Sequence, residues 1–343
     1  MPIAGPPLSP GPPGRWQTFA SIDGLPSANI SDLAVAPDGG VWVSTTQGTA
    51  FFDGRSWQAY SNQNGMPDNG VMTVEIGGDG SVWFGGENWV SRFYHNEWSH
   101  FTQQEGLQKG FVLEMARSSD SGVWVGITGA GDDWAFGNGA AHISAPPAYS
   151  QAVKIQSFLP TNERIGGGLI SAIAEVGETM WFAVNPEGTH RPGIGPATLW
   201  RLSGWQTVTE RDDQWDQLDT NLTEGQVIST LESGPDGELW IGTSAGLLRI
   251  PPQGVDTFSI SNAQRFSREM GLPSDRILSL AVSHNGRVAV GTEAGLAVMT
   301  GSEIEVYSTG DGLPDNTVRA VGISQNGEIW VGTPLGVGVL RPD

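Results

Sequence analysis

Gly312-Leu-Pro-Asp-Asn-Thr-Val318, Arg319-Ala-Val-Gly-Ile323, Ser324-Gln-Asn-Gly327, Glu328-Ile-Trp-Val-Gly-Thr333 and Pro334-Leu-Gly-Val-Gly-Val-Leu340 follow one another without a break. They read as a loop, a short apolar strand, an Asn-Gly turn, a second strand around Trp330, a turn at Gly336 and a third strand. The same pattern recurs upstream. With Trp330 as register mark, the equivalent positions are Trp42, Trp83, Trp124, Trp181, Trp240 and Ala289. Their spacing is 41 residues at the start and the end of the chain and wider in the middle. Most copies add a fourth strand, as in Trp57-Gln-Ala-Tyr60 and Trp98-Ser-His-Phe101. A repeat of about forty residues holding four short strands is the arithmetic of a β-propeller blade.

The two ends of the chain settle the closure of the ring. The last copy stops after its third strand, whereas Arg15-Trp-Gln-Thr-Phe19 stands before the first copy as a fourth strand without a blade. The expected fold is therefore all-β: a seven-bladed propeller of four-stranded blades spanning 15–343, with residues 15–19 completing the last blade and leaving no free terminal edge. Both faces of the inner strands are expected to be buried, which explains runs such as Ile30-Ser-Asp-Leu-Ala-Val-Ala36. Most of the 14 Trp residues sit at template positions and are expected to pack the blades; Trp89 and Trp134 fall outside the pattern.

Composition narrows the function. The net charge is −20, from 17 Lys and Arg against 37 Asp and Glu, with no basic stripe for phosphates, so nucleic acid and anionic membranes are poor partners. Without cysteine there is no disulfide, thiolate metal site or Cys nucleophile. Residues 1–14 are a Pro-rich leader with neither the charged start nor the apolar core of a signal peptide. They read as the tail of a linker, from a chain excised from something longer or processed. No cofactor is expected. The Asp-Gly turns bear on calcium, but no Asp-x-Asp-x-Asp run accompanies them, and the five histidines show no pair at ligand spacing.

Copies three and four depart from the template. After Trp124 the connection to the third strand swells into Thr128–Gly139, and after Trp181 into 185–197. The entry loops 104–110 and 160–168 also lose the Gly-Leu-Pro pattern. In an up-and-down blade, the loop from strand two to three and the loop from strand four into the next blade share one face. These departures should then form one wall beside the central channel, where loops on a rigid scaffold bind ligands. Its polar and aromatic side chains are Lys109, Asp132, Asp133, Trp134, Asn162, Glu163, Arg164, Glu187, His190 and Arg191. A ring to stack on, beside charged groups that orient hydroxyls or carboxylates, suits an oligosaccharide or another polar small molecule. The bland alternative is surface drift in Gly-rich insertions.

The pattern Gly-Leu-Pro-[Ser/Asp]-x-x-[Val/Ile], then Asp/Asn-Gly-x-x-Trp-[Val/Ile]-Gly-Thr, then x-x-Gly, resembles the repeat of two-component regulator propellers. It is clearest at 312–340, at 271–299 where Trp is lost, and at Gly24-Leu-Pro-Ser-Ala-Asn-Ile30 with Trp42-Val-Ser-Thr45. The resemblance implies an extracytoplasmic sensor module, periplasmic or secreted, from a longer chain ending in a membrane span and kinase. An enzyme is the alternative, because seven-bladed propellers include polysaccharide and streptogramin lyases. There His190 would be the base, Arg191 or Arg164 the enolate stabiliser, and Tyr149 a neighbour. A glycosidase would use two of Asp132, Asp133, Glu163 and Glu187. A protein-interaction scaffold, the third reading, would show a broad apolar patch on one face.

Overall fold

A computed structural model describes residues 3–4, 16–129, 139–144, 154–158, 168–186, 196–205, 213–218, 220, 222–223, 225–257 and 263–342. Seven antiparallel sheets follow one another along the chain, six of four neighbouring strands and the first of five, each with one strand innermost. The innermost strands are Ile30–Val35, Val71–Ile76, Phe111–Arg117, Leu169–Val176, Ile228–Ser233, Ile277–Val282 and Ala320–Ile323. Each touches the innermost strand of the next blade, and the last touches the first, so the ring is closed. The closing blade takes its fourth strand from Trp16–Phe19, paired with Gly336–Leu340 from Trp16↔Leu340 to Phe19↔Val337.

Each motif of the repeat has a local reason. In Gly24-Leu25-Pro26, Gly24 ends a short 3-10 turn at φ 111°, a conformation glycine adopts freely, and delivers Leu25 into the core at 4% exposure. Leu107, Leu272 and Leu313 are buried in the same way. In Trp330-Val-Gly332, a Cβ on Gly332 would stand 2.7 Å from Cγ2 of Ile30 in the next blade, so the glycine sets how closely two blades approach. Thr333 Oγ1 donates to the carbonyl of Gly336 at 2.8 Å, and Thr45, Thr243 and Thr292 repeat that bond in their own hairpins.

The tryptophans are the mortar between blades. Trp57, Trp83, Trp124, Trp181 and Trp330 are among the largest fully buried side chains. At the seam between blades seven and one, Phe19, Phe52, Trp57 and Trp330 form an aromatic cluster with centroid separations from 5.0 to 6.4 Å. Trp89, outside the repeat pattern, is also a packing residue at 4% exposure.

Two expectations need adjustment. The innermost strands are not buried on both faces: Ile30–Val35 is buried only at Ile30 and Leu33, whereas the second strand Val41–Thr45 is buried throughout. The inner strand has a free edge facing the central channel, so full burial moves one strand outward. Within the leader, Ile3–Ala4 pairs with the outer strand Trp57–Tyr60 and gives blade one a fifth strand.

Candidate functional site in the central channel

A cavity of about 1020 Å³ runs down the ring, lined by the innermost strands of all seven blades. Its lining continues into the turns between first and second strands, at Pro37, Gly77, Gly80, Ser119 and Gly177. The cavity thus reaches the face opposite Lys109. Near the other mouth stand Leu113, 48% exposed, and Arg319, which donates to Asn29 Oδ1 at 2.7 Å.

The channel wall is acidic over five consecutive blades, with Asp32, Glu75, Glu114, Glu175 and Glu232 on it and Arg117 among them. Blade six supplies Ser279 and apolar groups, and blade seven supplies Arg319 and apolar groups. The register explains the placement. Residues opposite the Trp mark are Ala34, Glu75, Ala116, Ala174, Glu232, Ala281 and Gly322. Five of these are small, and the two long ones are both glutamate. Asp32 and Glu114 occupy a second layer, opposite Ser44 and Gly126.

These carboxyls also satisfy inner-edge donors that have no neighbouring strand to pair with. Asp32 Oδ2 accepts from Thr73 Oγ1 and from the Val74 amide, both at 2.9 Å, and Oδ1 accepts from the Leu33 amide at 2.8 Å. Glu75 Oε1 accepts from the amide of Ile76 at 2.7 Å. Glu114 likewise accepts from the amide of Ile173 in blade four.

By surface area these side chains are half-buried, because they look into the cavity; by position they lie deep in the ring, surrounded by protein. The depth decides the ionisation. Burial pushes Glu75 up to about 7, against the opposing amide of Ile76 and the charge of Arg117, with Asp32 adding repulsion. Burial and the charge of Glu75 push Glu232 up to about 8. Glu114 is raised well above the ordinary range by burial, then by Asp32, Glu75 and Glu232. Asp32 and Glu175 are also raised, chiefly by burial.

Of the ten wall residues expected from the sequence, the structure places Lys109. It is exposed, on the loop into blade three, and that loop is tethered to the preceding blade through Gly110: Asn88 donates its amide to the Gly110 carbonyl at 2.7 Å and accepts the Gly110 amide at 3.0 Å. Asp132, Asp133, Trp134, Asn162, Glu163, Arg164, Glu187, His190 and Arg191 lie outside the described residues, as does Tyr149. The channel carboxyls were missed because each lies in an ordinary strand. Their signal is visible only when the seven innermost strands are stacked in register. Among the described residues, no three His, Asp or Glu side chains converge to hold a metal ion, and no helix is long and apolar enough to cross a membrane.

The model of the two component regulator propeller family matches residues 24–47, the first Gly-Leu-Pro loop through the first Trp strand. The chain carries the two-component regulator propeller repeat. No curated protein matches it in sequence. Among solved structures, the extracellular domain of a hybrid two component system from B. thetaiotaomicron aligns at TM-score 0.72 and 19% identity, covering 97% of this chain and 42% of that one. Virginiamycin B lyase from Staphylococcus aureus aligns at 0.68 and 15%, covering 96% and 99%. PorZ, a surface component of the type-IX secretion system of Porphyromonas gingivalis, aligns at 0.72 and 14%, covering 94% and 48%. This propeller thus spans less than half of the sensor and secretion chains it resembles. At such identities the likeness establishes the fold, and that fold serves several jobs.

Proposed function

We propose that this chain is the ligand-binding propeller of an extracytoplasmic sensor. Its ligand is a small polar molecule rich in hydroxyl or amino donors, with an oligosaccharide as the first candidate. The observation that carries this reading is the channel: about 1020 Å³ of cavity lined by carboxyl and hydroxyl groups on rigid strands. That volume suits a ligand of a few sugar rings, and acceptors fixed on strands orient donors without a folding cost. The polar residues expected from the sequence to form a wall, from Lys109 to Arg191, are proposed as a second set of ligand contacts. The repeat shared with sensor propellers supports the extracytoplasmic placement.

A lyase is the second reading, favoured by the full-length alignment with virginiamycin B lyase. Among the described residues no histidine lines the channel, so its base would come from His190 in the wall. Equilibrium dialysis against neutral oligosaccharides, amino sugars and a streptogramin, read by mass spectrometry in both compartments, separates the readings. The sensor reading expects an unchanged ligand to be retained, with at least tenfold weaker retention in the Glu75→Gln, Glu232→Gln double variant. Unsaturated fragments would establish a lyase and water-added fragments a glycosidase; neither retention nor products would overturn these readings in favour of a protein-interaction scaffold.

A further inference from the structure

The inner seam of the ring is built in two chemistries. From blade one to blade four, neighbouring innermost strands are linked by carboxyls accepting amide protons: Asp32 from Val74, Glu75 from Arg117 and Glu114 from Ile173. From blade four to blade seven the links are hydroxyls donating to carbonyls: Ser171 to Ile228 at 2.8 Å, Ser229 to Ile277 at 2.7 Å and Ser279 to Val318 at 3.2 Å. One half of the seam can titrate, and the other half cannot.

We propose that the channel is a pH-responsive site: the carboxyls of Asp32, Glu75, Glu114 and Glu232 share protons as one coupled group. Loaded, they make a neutral pocket that can donate hydroxyl hydrogen bonds. Emptied, they make an anionic pocket on the wall of blades one, two, three and five. The inference rests on the channel being the binding site only for its effect on ligands, because proton loading is a property of the protein alone.

The surroundings of each group support the coupling. Glu75 is faced by Asp32 and Arg117; Glu114 by Asp32, Glu75 and Glu232; Glu232 by Glu75 and Arg117. Glu175, next along the wall, interacts with Ser119, Arg117 and Asp120. The innermost strand of blade six, Ile277–Val282, carries no ionisable residue, and Arg319 of blade seven is engaged with Asn29 at the mouth. Arg117 is therefore the cation that offsets these carboxyls inside the channel, with Arg319 held at the mouth, and one guanidinium cannot neutralise the five carboxyls of the described wall. Like charges confined in a cavity bind protons in macroscopic steps that belong to the group rather than to single residues. The steps expected near 7 and near 8 put the change of state in the neutral range.

The test uses the whole chain labelled with carbon-13 at glutamate carboxyls, titrated by NMR without ligand. The expected result is two or more carboxyls with midpoints near 7 and near 8, assigned by their loss in Glu75→Gln and Glu232→Gln. Removing the Glu75 charge should also lower the Glu232 midpoint, a shift that a purely structural glutamine effect would not produce. Titration of every glutamate near about 4.3, the ordinary value, would overturn the proposal. The wild-type titration decides this even if a variant fails to fold, and it does not depend on whether any ligand is retained in dialysis.

Discussion

At the residue scale, the chain places acid groups where water is scarce, and the consequence is an unusual pH dependence. Glu75 and Glu232 hold protons in the folded ring that the unfolded chain has already lost. Their stabilising contribution is complete below about 4.5, the unfolded value, and declines as pH rises through about 7 and about 8. Asp53 acts in the opposite sense: the amide of Ser56 holds it below its usual value, so its contribution is lost on acidification. Thermal unfolding should show Tm highest in mildly acidic buffer and falling between pH 6 and pH 9. Glu75→Gln should flatten that fall; a Tm constant from pH 6 to pH 9 would show that burial leaves these groups unshifted. Glycine supplies a second residue-scale prediction. In Gly332→Ala the new methyl would press on Ile30 of the next blade, and urea unfolding should report a loss of about 1–3 kcal/mol. The glycines and tryptophans were legible in the sequence because their role repeats at a fixed period. The carboxyls were not, since Glu75 or Glu232 alone looks like the solvated face of any strand.

At the element scale, the strand Trp16–Phe19 bears the closure of the ring. Phe19 is 2% exposed and sits in the aromatic cluster with Phe52, Trp57 and Trp330, while Arg341 bonds Gln17 at 2.6 Å and Glu328 at 2.9 Å. Truncation at this point leaves a cavity at the seam where the two ends of the ring meet. Phe19→Ala should cost about 3–5 kcal/mol by chemical denaturation, with hydrogen exchange rising first in Gly336–Leu340. Uniform exchange throughout the ring would instead mean that the seam has no separate weakness. This closure could be read from the sequence because an orphan fourth strand and a missing one are complementary. The fifth strand on blade one could not, because two residues in a Pro-rich leader carry no periodic signal.

At the scale of the whole molecule, the two faces of the ring are unlike. Lys109 belongs to one face, and the acidic channel is lined up to the turns of the other. Exposed large apolar residues gather on the loop face: Ile22 at 88%, Leu335 at 61% and Met270 at 56%. They belong to separate loops, with Ile22 and Leu335 near the closing seam and Met270 between blades five and six. Among the described residues these are single apolar positions, which are ordinary on a protein surface. Repetition made the architecture legible, whereas a binding site is built from departures from the repeat. Some of those departures are insertions, visible by length, and others are substitutions inside a strand, visible only in register. The most direct test of the account is hydrogen exchange on the intact chain with and without the sugar or amine that dialysis retains. Val74, Arg117 and Ile173, the amides along the acidic wall, should gain protection. Protection confined to the loops at 128–139 and 185–197, with the channel amides unchanged, would contradict the account.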